Sequence, residues 1–224
     1  MTDAMSSLYP FLRFDDSPGE PSAESRRSVD AVLAEVRRST TDKAREIMEL
    51  RRHVHREQRH LLAACGTAMA ERFARGGRLF AFGNGGSSTD AADLATQFLD
   101  PPPGSPPLPA FALTADAAVV TALSNDVGFD LVFSRQLAAL GRESDIAVGL
   151  STSGNSTNLL AAFDEAKRIG MLTVGITGGD GGRMAELDSI DFLFAVPSAS
   201  VHRVQEAQTT IYHVLAELSV EGVR

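Results

Sequence analysis

Two short stretches concentrate the residues that could do chemistry. One is Gly83-Asn84-Gly85-Gly86-Ser87-Ser88, and the other is Ser151-Thr152-Ser153-Gly154-Asn155-Ser156. Glycines let the main chain come close to a ligand, and a helix that starts at once offers free N–H groups to an anion. The second stretch holds four hydroxyls and one glycine in six residues. Hydroxyls and main-chain N–H groups together supply many donors to a phosphate without any positive charge. A helix cap alone needs only one of them. The first stretch is not the dinucleotide fingerprint, because Ser88 stands where a third glycine is required, and no Gly-Lys-Ser/Thr follows it. Alone, it also reads as a tight strand-to-helix turn. Together the two loops point to a phosphorylated small molecule and no nucleotide cofactor.

These loops need a scaffold, and the sequence supplies one. Five short apolar or β-branched runs lie at 78–82, 109–113, 145–150, 172–176 and 191–196. Helix-like stretches separate them at 87–99, 115–123, 130–140 and 156–169, and a long amphipathic stretch at 202–220 follows. This alternation implies an α/β fold, a parallel sheet covered on both faces. Ligands in such sheets bind beyond the carboxyl ends of the strands, which is where both loops fall. Residues 28–77 are rich in Ala, Leu, Glu and Arg, lack proline, and read as two or three helices stopped by Gly76-Gly77. His53 and His60 share a face there, within a strongly polar stretch that reads as a solvated surface. Residues 1–27, with Pro10, Pro18, Gly19 and Pro21, read as an irregular extension. Its apolar patch Leu8–Leu12 suits docking on a neighbour or on its own domain. Residues 28–224 read as a single domain, with an αβα core over 78–224.

Composition narrows the function classes. The 224 residues are 43% hydrophobic and 22% charged, an ordinary globular balance. One cysteine, Cys65, excludes an intrachain disulfide and a cysteine-based zinc site, and reads as a small buried residue. The net charge of -8, with no basic stripe, argues against nucleic-acid binding. No apolar run reaches 18 residues and no secretory leader opens the sequence, so no membrane association and a cytoplasmic location are expected.

Five motifs in one order resemble a known family. They are Gly83–Ser87, Ser124-Asn125-Asp126, Ser151–Ser156, Thr177-Gly178-Gly179-Asp180-Gly181-Gly182 and Arg203-Val204-Gln205-Glu206. Over about residues 30–222 the chain resembles the sugar isomerase (SIS) domain, specifically its phosphoheptose isomerase branch. The resemblance implies a three-layer sandwich with a five-stranded parallel sheet and a homotetramer with shared sites. It implies interconversion of sedoheptulose 7-phosphate and a heptose 7-phosphate aldose through an enediol. A base takes the proton beside the carbonyl, and the proton returns to the neighbouring carbon.

The resemblance also implies which residues do this, and here the chain departs from the family. The family places a His and a Glu four residues apart on the helix after the glycine-rich loop, and a Gln and a His eight apart on the last helix. The four can hold zinc, and the Glu and second His act as base and acid. In this chain those positions are Asp93, Gln97, Gln205 and His213. Asp93 and Gln97 still put two oxygen donors on one helix face, so the four could bind Zn²⁺ or another divalent metal. Gln97 cannot act as a base, so His213 or Asp93 must take the proton, with His202 as a replacement acid/base candidate. Asn84, Gly85, Gly86 and Ser87 should face the sugar and phosphate, and Ser151, Thr152, Ser153 and Ser156 should hold the phosphate. Asp126 should bond sugar hydroxyls, or else form a local turn, while Asp90 should tie the loop to its helix. Arg203 and Glu206 should pair at a subunit interface. The altered set leaves two other readings open. One is a non-catalytic sugar-phosphate sensor or scaffold of the type that assembles the DnaA initiator. The other is an isomerase for a different phosphosugar.

Overall fold

The computed structural model describes residues 23–223. The Leu8–Leu12 patch lies outside the described residues. Five strands form one parallel sheet: β1 (Leu79–Gly83), β2 (Ala110–Ala112), β3 (Ile146–Leu150), β4 (Leu172–Gly178) and β5 (Phe192–Val196). Their order is β2-β1-β3-β4-β5. Leu79 pairs with Ala110 on one side and with Ile146 on the other. The order reverses at β1, so the crevice beyond the ends of β1 and β3 is the topological switch point. Helices α2 (Gly86–Leu99), α3 (Ala117–Asp126), α4 (Val132–Leu140), α5 (Thr157–Ile169) and α6 (Val201–Val223) connect or follow the strands. Each strand and each of these helices falls within a few residues of its expected place.

The sheet is buried on both faces, and successive residues serve opposite cores. Leu79 and Ala81 join Ile146, Val148, Val174 and Ile176 in one core with residues of α2 and α6. Phe80 and Phe82 turn the other way, to Phe133, Leu137, Leu159 and Phe163. At the amino-terminal end of the strands, Arg78 and the fully buried Asp145 clamp β1 to β3 with a 2.8 Å ion pair.

Before the sheet runs α1, Ala23–Ala74, as one unbroken helix. The expectation of two or three helices is corrected here. No proline interrupts these residues, and Gly66 is their one glycine. A Cβ at Gly66 would stand 2.7 Å from Leu218 Cβ, so this glycine marks a close helix approach and not a break. The chain divides into two compact units, one up to Ala44 and one from Arg45 onward. In the first, Val32, Leu33 and Val36 are more than half exposed. In the second, Cys65 is fully buried, and burial pushes its thiol pKa up. His53 is half-buried while His55 and His60 are exposed.

Candidate active site

Both chemistry-bearing loops stand at the carboxyl ends of β1 and β3. The first turns sharply at Gly85, whose φ of +55° suits glycine, and α2 begins at Gly86. The second leads to Ser156, the N-cap of α5, whose hydroxyl makes no capping bond. Gly154 sits at φ +67°, and a Cβ there would lie 1.9 Å from Gly181 O. The glycine run after β4 is therefore packed directly beneath the serine loop. Within that loop Ser151 is buried and its Oγ accepts from Gly154 N at 3.0 Å. Thr152 is half-buried and Ser153 is exposed, with Ser153 Oγ accepting from Asn155 N.

The two loops are joined by a side-chain clasp. Asn84 Nδ2 donates to Asn158 Oδ1 and Asn158 Nδ2 donates back to Asn84 Oδ1, both at 2.9 Å. Asn84 thus spends its amide on α5, where the sequence reading has it facing the ligand. Ser87 is buried at the first turn of α2. Asp126 ends α3 exposed, with its carboxylate accepting from the neighbouring Asn125 side chain.

Helices α2 and α6 lie side by side and run in the same direction. Near their starts, Gln205 Nε2 reaches Asp90 Oδ2 at 3.5 Å, and a Cβ on Gly86 would stand 2.3 Å from it. Burial pushes the Asp90 carboxyl up, the Gln205 bond opposes this, and the nearby Asp93 charge adds to it. Further along, Asp93 gathers three donors or partners. Tyr212 Oη donates to Asp93 Oδ2 at 2.7 Å, His213 Nε2 lies 3.3 Å from the same oxygen, and Gln97 Nε2 donates to Oδ1 at 3.2 Å. Partial burial raises the Asp93 carboxyl, but the Tyr212, His213 and Gln97 bonds outweigh it and hold the pKa below the usual value. Tyr212 is driven upward, first by burial and then by Asp93, so it stays a donor.

Helix α6 also reaches the serine loop. The fully buried Gln208 donates through Nε2 to Ser151 O and Ile176 O, both at 3.1 Å. One helix face thus sets the serine loop through Gln208 and the Asp93 carboxylate through Tyr212. Sequence reasoning missed Asn158, Gln208 and Tyr212, whose partners are protein groups and not a ligand. The one signal for Gln208 and Tyr212 was their helical spacing from Gln205, three and seven residues on. Arg203 pairs with Glu206, as expected, and also with Glu46, but within this chain. His202 is exposed at the start of α6.

The four residues offered for a metal do not close into a cage. Asp93, Gln97 and His213 meet, but Gln205 is turned to Gly86 and Asp90. Gln97 turns its N–H toward the carboxylate, and Tyr212 occupies the other carboxylate oxygen. Among the described residues no three His, Cys, Asp or Glu side chains converge. With one carboxylate, one imidazole and two amides in this arrangement, the residues do not fit a zinc ion.

The SIS domain model matches residues 44–178. A phosphoheptose isomerase from Desulfovibrio desulfuricans is 47% identical over 180 residues, 80% of this chain and 85% of that protein. The chain belongs to the phosphoheptose isomerase family of SIS domains. A Roseiflexus phosphoheptose isomerase is 40% identical over 79% of this chain and 89% of its own length. Among solved structures, the phosphoheptose isomerase from Francisella tularensis superposes with a TM-score of 0.76 at 31% identity, covering 85% of this chain and 98% of that one. The Neisseria gonorrhoeae phosphoheptose isomerase gives 0.75 at 33%, covering 81% and 98%. Membership makes this chain an aldose–ketose isomerase.

Proposed function

We propose that this protein interconverts sedoheptulose 7-phosphate and an aldoheptose 7-phosphate through an enediol. The observation that carries this reading is the shared mounting on α6. Gln208 holds the hydroxyl-rich loop while Tyr212 and His213 hold Asp93. The phosphate is bound by Thr152, Ser153, Ser156 and the N–H groups opening α5, with Ser151 shaping the loop. The sugar then extends toward Asp93 and His213. Gln205 borders this path at Gly86.

The isomerisation moves one proton between carbons and one between oxygens. Asp93, kept ionised by its three partners, orients His213 through the 3.3 Å contact. His213 is then the group that gives and takes the oxygen protons. The Gln97 amide cannot titrate and serves only to fix the Asp93 carboxylate. We assign the working form to a cytoplasmic homotetramer. The apolar residues exposed on α1 (Val32, Leu33, Val36) and at Phe111 and Phe129 support association.

The test is turnover of sedoheptulose 7-phosphate by metal-stripped protein, with and without added Zn²⁺, following the aldose directly. Turnover without metal that disappears in His213→Ala supports the reading. A sensor or scaffold is favoured by one specific observation, the amide at position 97. Thermal stabilisation by the sugar phosphate with no turnover would decide for it.

A further inference from the structure

Loss of a carboxylate at position 97 leaves the carbon proton without an obvious carrier. Asp93 has both oxygens engaged, by Tyr212, His213 and Gln97. Asp90 is held by Gln205. His202 lies at the far, exposed start of α6. The parallel course of α2 and α6 supplies another candidate. Gln205 stands level with Gly86 and Asp90, and His213 stands level with Asp93. One turn on from Asp93 is Gln97, and one turn on from His213 is Glu217. Gln97, His213 and Glu217 line one cavity of about 300 Å³, walled also by Pro102 and Ala216. That volume is at the small end of ligand pockets and suits the reacting end of a sugar.

We propose that Glu217 is the second acid/base group of the isomerase, supplying from α6 the carboxylate that α2 lacks. This deepens the isomerase reading above and rests on it. Glu217 takes the proton from C1 of the ketose. The C–H electron pair becomes the C1=C2 bond, the carbonyl pair moves to O2, and O2 takes the proton of His213. In the second half His213 recovers a proton from O1, whose electrons form the new carbonyl, and Glu217 returns its proton to C2. Nothing is oxidised or reduced overall, and both groups end as they began.

The test compares Glu217→Gln, Gln97→Glu/Glu217→Gln and Glu221→Gln with the unaltered protein. Three readings are taken: turnover, solvent-deuterium incorporation at C1 of recovered ketose, and thermal stabilisation by sedoheptulose 7-phosphate. Glu217 is exposed, and its amide variant should fold, which the thermal scan reports directly. The expected result is a drop of about 100-fold or more in kcat and in deuterium incorporation for Glu217→Gln, with ligand stabilisation retained. The double variant should recover most of the rate, because the carboxylate reappears across the same cavity. Unchanged turnover in Glu217→Gln overturns the proposal, as does a loss that follows Glu221→Gln instead. If the unaltered protein is inert, the isomerase reading falls and this proposal falls with it.

Discussion

The hydroxyl of Tyr212 donates to the Asp93 carboxylate at 2.7 Å, across the seam between α6 and α2. Tyr212 is almost wholly buried, whereas Asp93 is half-buried, so the bond joins the core to the reaction site. Tyr212→Phe removes the bond and keeps the packing. Asp93 retains two partners and some water, so the loss in stability should be about 1–2 kcal/mol, measured by urea unfolding. The kcat should fall by about tenfold with KM unchanged, because the carboxylate that orients His213 becomes free to turn.

The Asn84–Asn158 clasp predicts coupling between the two loops. Asn84→Ala strands the buried Asn158 amide and Asn158→Ala strands the half-buried Asn84 amide, and either should raise the KM for the sugar phosphate. In a double-mutant cycle the pair should show a coupling of about 0.5–3 kcal/mol in stability. Additive losses would show that the loops are set independently.

What was legible in the sequence, and what was not, follows from the reach of each interaction. The inner strands β1, β3 and β4 were readable because every residue in them is buried and the runs are largely apolar. The serine loop was readable because four hydroxyls exceed what a cap requires. Asn158, Gln208 and Tyr212 were not, since each serves a main-chain or side-chain partner more than 50 residues away. The clasp that Asn84 makes with Asn158 was unreadable for the same reason.

At the opposite end of the sheet, Asp145 accepts from Arg78 N and Arg142 N and pairs with the Arg78 guanidinium. Asp145→Ala leaves those donors without their carboxylate and should cost about 3–5 kcal/mol in thermal or urea unfolding. The folded fraction should keep the KM of the unaltered protein, because the clamp lies at the amino-terminal ends of β1 and β3.

Asp191 gives a pH signature separate from the site. Burial raises its carboxyl, but Lys167 at 2.5 Å and two bonds from Thr173 outweigh this and lower it. A depressed carboxyl means the folded state holds fewer protons than the unfolded one as acid is added. Its contribution is therefore full above the unfolded value of about 3.9 and fades as pH falls through the lower, folded value. The stability gap between the unaltered protein and Asp191→Asn should be constant from pH 6 to 8 and shrink below about pH 4. A gap that persists at pH 2.5 would assign it to packing.

Because α2 and α6 travel together in one direction, the groove between them can be furnished from either bank. A charge that vanishes from one helix can be restored from the other without displacing the ligand by more than a side chain's reach. Gln97 and Glu217 face one hollow from opposite banks, so an amide on one side and a carboxylate on the other reach the same point. What such a groove fixes is a place in space, and the chain position that fills it is free to change.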